Sequence, residues 1–420
     1  MTPQKIAVIG SGISGLVAAY MFSGLAKVTL FEARSRLGGH THTHRFEWKG
    51  DTCAIDTGFI VLNNRTYPTL HTFFQQIGAA VQDSDMSFSY YCKQDHQWYA
   101  GTNINGLFSK RSNICSASFY IFLYEVYQFG KKALEHLQLG VENDMSLRDY
   151  IQNQGVSARV CRDYLLPMLA SIWSAPDHVL LEHPAHSALS FMHHHGLLNL
   201  VDRPQWQTVV GGSDRYIDLC VAKASFKTYR SMPVLKIKRQ KNQATIFTSD
   251  HSEVFDLVIV ATHADQVLPM LDNPLPVEVD FFSTWTYETN NVVLHTDTSL
   301  MPPHRRAWAS WNYVRDQQGH NDKLLMTYHM NRLQGLQTYH DYFVTLNPGQ
   351  RVDPERSIKN IEYKHPVFST SVLQQRDIFQ KQFSKENPVQ YVGSYFGFGF
   401  HEDGAKSATS LGEKYGLSLT

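Results

Sequence analysis

The residues Gly10-Ser11-Gly12-Ile13-Ser14-Gly15 stand directly after an apolar run, Ile6-Ala7-Val8-Ile9, and an acid, Glu32, closes the next apolar run 17 residues past Gly15. Each part has a physical task in holding a dinucleotide. Gly10 permits a tight turn, Gly12 lets the backbone approach a pyrophosphate, and Gly15 lets a helix pack closely on the preceding strand. A helix that starts at Ile13 and Ser14 offers free N–H groups and a partial positive charge to the phosphates. The Glu32 carboxylate can accept hydrogen bonds from both ribose hydroxyls and would repel a 2′-phosphate, which points away from NADP. A glycine turn alone is a weak signal. The strand before it, the helix after it and the acid at the next strand end make it specific.

Positioning these residues takes an apolar strand, a helix and a second strand, Val28-Thr29-Leu30-Phe31, that ends at the acid. Just beyond, Arg36-Leu37-Gly38-Gly39 supplies a second glycine pair, a further close backbone approach to a long cofactor, and this favours FAD. With a threonine following in Gly39-His40-Thr41-His42-Thr43, the chain resembles the flavin amine oxidase superfamily. That superfamily includes monoamine and polyamine oxidases, protoporphyrinogen oxidase and the phytoene desaturases. The resemblance implies an α/β fold, a Rossmann-like FAD-binding domain with an inserted α+β substrate domain, and a flavin ring lying between the two. Around the adenine and ribose it implies cofactor contacts from Ala33 and Arg34 next to Glu32, and from Gly38, Gly39, His40 and Thr41.

Later segments extend the resemblance. Phe255 to Thr262 reads as a buried strand ending in small residues, Ala261 and Thr262, that returns the chain under the cofactor. Pro233-Val234, after the Gly211-Gly212 turn, resembles the place where a backbone strand meets the adenine. Tyr391-Val392-Gly393-Ser394 leads to His401-Glu402-Asp403-Gly404-Ala405-Lys406-Ser407-Ala408. Asp403 can cap a helix there, and the first N–H groups of that helix would face the flavin pyrimidine. The implied cofactor contacts are Gly393, Ser394, Glu402, Asp403, Gly404 and Ser407. Many relatives carry an acid one or two residues after the glycine equivalent to Gly393. Ser394 and Tyr395 stand there in this chain, so a ribityl contact by an acidic side chain is not implied. Some relatives tether FAD through a cysteine near this segment. Cys53, Cys92, Cys115, Cys161 and Cys220 all lie elsewhere, so FAD is expected to be non-covalent.

The FAD-domain signatures fall in three pieces, 1–85, 205–268 and 385–420, which leaves 86–204 and 269–384 for the substrate domain. The first inserted piece reads as largely helical. Phe119, Phe122, Leu123 and Val126 recur at helical spacing beside a stripe of Tyr120, Tyr124 and Tyr127. Such twin stripes predict a helix buried on two sides, or else one wall of an apolar tunnel. The second inserted piece opens with strand-like runs at 284–295 and 324–330.

The 420 residues suffice for two or three domains' worth of core. Lys plus Arg equals Asp plus Glu and no basic run occurs, which excludes an obvious nucleic-acid surface. Five scattered cysteines without C-x-x-C spacing argue against a disulfide framework and a zinc site. The apolar stretch from Ile6 to Phe22 could pass for a signal peptide, but the glycine motif inside it explains the same residues better. The expectation is a cytoplasmic protein, at most peripheral to the inner face of the membrane, with no spanning segment.

The reaction itself needs a C–H held over the flavin and bulk water kept out. A single dinucleotide motif favours an oxidase or desaturase over a nicotinamide-driven reductase. Amine oxidases flank the substrate with aromatic rings just before the last helix, which nominates Tyr395 and Phe398; His401 is a candidate base or hydrogen-bond donor. His40, His42 and His44 alternate and would share a face if extended; polar residues near the cofactor are favoured there over a metal site. Trp173-Ser174 and Trp308 to Asn312 are further candidate cavity walls.

A narrower resemblance rests on Asp56 to Val61, Asn64-Arg65-Thr66-Tyr67-Pro68, Trp206 through Ser213, Tyr328-His329-Met330-Asn331 and Gly397 through Gly404. These segments are similar to a group of bacterial NAD/FAD-binding proteins, themselves similar to the oxidase-like domain fused to plant cyclopropane fatty acid synthases. The implied substrate is a hydrophobic small molecule or acyl lipid, with hydride removal giving a double bond. Alternatives are an amine oxidase, a flavin-dependent double-bond isomerase, and a non-catalytic FAD-binding partner of a lipid methyltransferase.

Overall fold

The computed structural model describes residues 3–140, 145–199, 203–316, 325–384 and 386–419. Its first elements are a strand Lys5–Ile9, a helix Ile13–Phe22 and a strand Lys27–Phe31. Ile6, Ala7, Val8 and Ile9 are all buried. Burial on both faces is why this run is apolar without alternation, as parallel strands covered by helices require. Val8 pairs with Leu30 on one side and Ile259 on the other. The full sheet runs Phe226–Tyr229, Lys27–Phe31, Lys5–Ile9, Leu257–Val260, Val389–Tyr391, every neighbour parallel. Its strands come from each of the three stretches 1–85, 205–268 and 385–420; Met1, Thr2, Lys385 and Thr420 lie outside the described residues.

The last helix, His401–Glu413, packs on the first one. A Cβ on Gly404 would lie 2.7 Å from Ser14 Oγ and 2.8 Å from Ile13 Cγ2, so glycine is what lets the two helix starts converge. That convergence puts two sets of unpaired N–H groups at one end of the parallel sheet.

The other half of the molecule is built on a seven-stranded sheet. In spatial order its strands are Ser357–Pro366, Tyr287–His295, Phe343–Leu346, Met326–His329, Trp311–Arg315, Phe88–Cys92 and Gln97–Ala100. All neighbours are antiparallel except Trp311–Arg315 beside Phe88–Cys92. The first inserted piece, expected to be largely helical, therefore contributes two strands before its helices. Of the run expected at 324–330, Met326–His329 is strand, and Leu324 lies outside the described residues.

The helix expected around Phe119 spans Ala117–Leu139, started by Ser116, whose Oγ accepts from Phe119 N at 3.3 Å. One stripe is core: Phe119, Phe122 and Phe129 are buried. The other is neither buried nor a cavity wall. Tyr120, Tyr124 and Tyr127 are 48%, 63% and 50% exposed, which corrects both readings of the tyrosine stripe. The physical reason is that one buried side, packed on neighbouring helices and on Tyr99, satisfies the helix, and phenols tolerate water at their polar tips. Among the described residues no helix is long and apolar enough to cross a membrane.

Candidate active site

The glycine turn is shaped as its residue types require. Gly10 sits at φ +97°, and a Cβ on it would lie 2.8 Å from the Ala261 carbonyl oxygen. A Cβ on Gly15 would collide with the Gly10 carbonyl. Gly12 differs: a Cβ there meets nothing within 4 Å, so the space in front of the turn is open. The second glycine pair folds over the first. Gly38 N donates to the Ser11 carbonyl at 3.0 Å, and a Cβ on Gly39 would stand 3.0 Å from Gly12 Cα. Arg36 ties this loop down by donating to the carbonyls of Gly39 at 2.8 Å and Thr41 at 3.0 Å.

Glu32 accepts from Ser11 N at 3.0 Å, Ser11 Oγ at 2.5 Å and Arg34 N at 2.8 Å. A carboxylate has about four lone-pair sites, so capacity for a ribose hydroxyl remains. The Arg34 side chain is exposed, and Ala33 is exposed beside it. Ser231 N and Met232 N donate to the Arg34 and Glu32 carbonyls at 2.9 Å each, which brings the segment leading to buried Val234 alongside the acid. Ala261 N donates to the Ile9 carbonyl at 2.8 Å, and Thr262 Oγ1 to the His263 carbonyl at 3.2 Å, at the end of the neighbouring strand.

At the C-terminal helix, Gly393 N donates to Ser407 Oγ at 3.1 Å, and the Ser394 carbonyl accepts from Gly397 N and Gly399 N. Asp403 accepts from Phe398 N at 3.0 Å and Phe400 N at 2.9 Å, so it caps the helix entry from its third position. Burial pushes its pKa up to about 6. Glu402 spends both oxygens on the start of a different helix, Pro68–Ile77, accepting from Thr69 N and Leu70 N at 2.9 Å each. Its carboxylate is thereby held at that helix start, while its backbone N–H lies in the first turn of His401–Glu413.

A cavity of about 320 Å³ lies between the two halves. His40, Gly58 and His401 line it on the dinucleotide side, and Trp311, Tyr328 and Met168 on the sheet and helix side. His401 Nε2 is 3.0 Å from Thr41 Oγ1, which is 2.6 Å from Tyr216 OH, and the His401 ring stacks on Phe59 with centroids 3.8 Å apart. Burial holds its pKa down to about 3, which makes it a weak base. His40 lies 5.4 Å and 5.5 Å, ring to ring, from His263 and His365. Burial, then the neighbouring imidazoles, keep His40 neutral, and burial takes His365 down to about 4. His40 Nε2 and His263 Nδ1 are buried with no hydrogen-bond partner. His42 and His44 do not line the cavity but bond to two residues that do, Tyr363 at 2.9 Å and Thr57 at 3.1 Å. Among the described residues no group of three or more His, Cys, Asp or Glu side chains is placed to hold a metal ion.

Tyr395 and Phe398, expected to flank the substrate, do not line this cavity. The turn Ser394–Phe396 sends Tyr395 inward, 2% exposed, against Phe281, Phe282 and Trp285. Phe398 faces the other side of the helix, near Arg376 and Lys406. The next aromatic, Phe400, is the one that reaches the cavity, stacked on Phe191 with centroids 4.5 Å apart, because Gly399 at φ +93° reverses the chain between them. Of the tryptophans considered, Trp311 lines the cavity beside Ser174, whereas Trp173 and Trp308 are core. Sequence reasoning missed Tyr363, His365, His195 and Arg203. Tyr363 and His365 had a legible signal, since alternate residues of one strand share a face.

The residues present fit FAD. The groove is open at Gly12, where a pyrophosphate needs backbone approach, two helix starts converge beside it, and orphaned imidazole nitrogens await a partner farther along. Comparison with known proteins agrees. A match to the flavin containing amine oxidoreductases spans residues 13–329. The L-amino-acid oxidase of Mus musculus is 26% identical over 277 residues, 60% of this chain and 40% of that one. The chain thus spans less than two thirds of the length of such curated relatives. Two solved structures share the fold across 98% of this chain: a putrescine oxidase double mutant (TM-score 0.74, 14% identity, 99% of that chain) and a CLA-producing fatty acid isomerase from P. acnes (TM-score 0.70, 16% identity, 98% of that chain). With the glycine groove, the paired helix starts and this match over most of its length, the chain belongs to the flavin-containing amine oxidoreductase family, and its cofactor is FAD.

Proposed function

We propose that this FAD-dependent oxidoreductase removes a hydride from an apolar, acyl-lipid-like substrate and leaves a double bond in it. The observation that carries the reading is the cavity wall: among the described residues lining it there is no aspartate, glutamate or lysine, and aliphatic and aromatic side chains predominate. FAD, when bound, supplies the hydride acceptor. The chain's own residues seat an alkyl segment between Phe400, Trp311 and Tyr328, exclude water, and present neutral imidazoles. An imidazole of low pKa suits removal of a proton from an electron-deficient carbon, which is strongly acidic, and not from an ammonium group.

Oxidation of an amine is the second reading, favoured by the family and by the shared fold of a putrescine oxidase. Against it, a protonated amine finds no acid in the wall to pair with. Shift of a double bond is a third, favoured by the shared fold of a fatty acid isomerase. Anaerobic absorbance titration with unsaturated acyl lipids and with amines separates them. Bleaching of the flavin band by acyl lipids supports hydride removal, and bleaching by amines alone overturns it. Movement of a double bond without net bleaching moves the assignment to the isomerase. Retained FAD with neither response points to a binding partner of a lipid-modifying enzyme.

A further inference from the structure

Among the described residues lining the cavity, Arg203 alone bears a permanent charge. It is exposed, so it stands where the cavity meets solvent. Its Nε donates to the Asn199 carbonyl at 3.1 Å, and among the described residues the two terminal nitrogens have no acceptor. That leaves the outer edge of the guanidinium fork free. Its backbone is held in place. A Cβ on Gly196, at φ +68°, would lie 3.2 Å from Arg203 Cα, and two residues on Gln205 exchanges hydrogen bonds with Asn64, its N donating to Asn64 Oδ1 and its carbonyl accepting from Asn64 N, both at 3.1 Å. Tyr164, another lining residue, lies within reach of the guanidinium charge.

We propose that Arg203 anchors the terminal carboxylate of the acyl chain that the cavity takes up. The proposal rests on the apolar-substrate reading and narrows it to free fatty acids. A guanidinium presents paired N–H donors that match a carboxylate in two parallel hydrogen bonds. The apolar walls behind it take the chain. An anchor at the mouth also sets which carbon, counted from the carboxylate, reaches the wall lined by His40 and His401. A long-chain amine would bring a second positive charge against Arg203.

Tryptophan fluorescence reads binding directly and needs no product to be formed, because Trp206 and Trp311 line the cavity. FAD-loaded wild type, Arg203→Gln and Arg203→Lys are titrated with oleic acid, methyl oleate and oleylamine. Wild type is expected to bind the acid about tenfold more tightly than the ester, as loss of a charged hydrogen-bonded pair implies. Arg203→Gln should remove that preference and leave the ester unchanged, and Arg203→Lys should restore part of it. Equal binding of acid and ester by wild type, or unchanged acid affinity in Arg203→Gln, overturns the anchor alone. Failure of wild type to bind either acid or ester overturns the apolar-substrate reading and the anchor with it.

Discussion

The two halves of this site hold their ligands by opposite means. The cofactor groove is made of backbone: Gly12 is open, Gly39 lies against it, and Asp403 and Arg36 hold loops through main-chain groups. The cavity is made of side chains drawn from separate strands and helices, among them Tyr363, His365, Phe191 and Phe400. A backbone groove tolerates almost no substitution at its glycines and is indifferent to most neighbours. A side-chain cavity tolerates single changes but shifts its preferences with each. On the proposed function, the first half would carry the chemistry common to the family and the second the selectivity.

Substitutions test that contrast directly. Gly12→Val places a side chain in the pyrophosphate's space and should abolish FAD retention, read as loss of the flavin band after gel filtration; a yellow variant would remove the groove from its assigned place. Glu32→Ala should weaken FAD by about 2 kcal/mol through lost charge-assisted hydrogen bonds; calorimetric titration of the apoprotein checks this. Phe400→Ala should leave FAD in place and weaken an acyl ligand by about 1.5 kcal/mol, roughly tenfold in Kd. Phe398→Ala should do neither, and equal effects of the two would contradict their opposite facings.

The smallest effects are in pH. Asp403 has a raised folded-state pKa, about 6, so its contribution is present below the unfolded value and is lost as pH rises from about 4 through 6. His365 has a lowered one, about 4, so its contribution is present above the unfolded value and is lost as pH falls from about 6.5 toward 4. Relative to Asp403→Asn, wild type should lose Tm as pH rises through that window; relative to His365→Gln, it should lose Tm as pH falls. Parallel behaviour would show that the groove and the cavity are not electrostatically distinct.

The groove was legible in the sequence because glycine spacing is local: six consecutive residues and one acid encode a strand, a turn, a helix and a second strand. The cavity was legible only in part, through His401, Trp311 and Ser174, because its walls meet through long-range strand pairing. His365 reaches His40 only because Ser357–Pro366 pairs along the outer edge of the seven-stranded sheet. Register likewise decided the aromatic run. Tyr395, Phe398 and Phe400 are all aromatic, and the turn at Gly397 to Gly399 determines which of them lines the cavity. Glu402 reads as a cofactor contact by position, and no local signal tells that its carboxylate also holds the start of a helix more than 300 residues earlier in the chain.

The packing of Gly404 on Ile13 and Ser14 has a consequence for how the protein is made. The parallel sheet takes its fifth strand from Val389–Tyr391, and the groove takes its second helix start from His401. During synthesis the residues of the glycine turn are made long before the helix His401–Glu413 that completes their site. Until then their apolar strand lacks a complete sheet and the pyrophosphate lacks half of its donors. A complete groove therefore requires that His401–Glu413 has been made and packed, and a shortage of flavin would leave the early elements the longest exposed to chaperones and proteases.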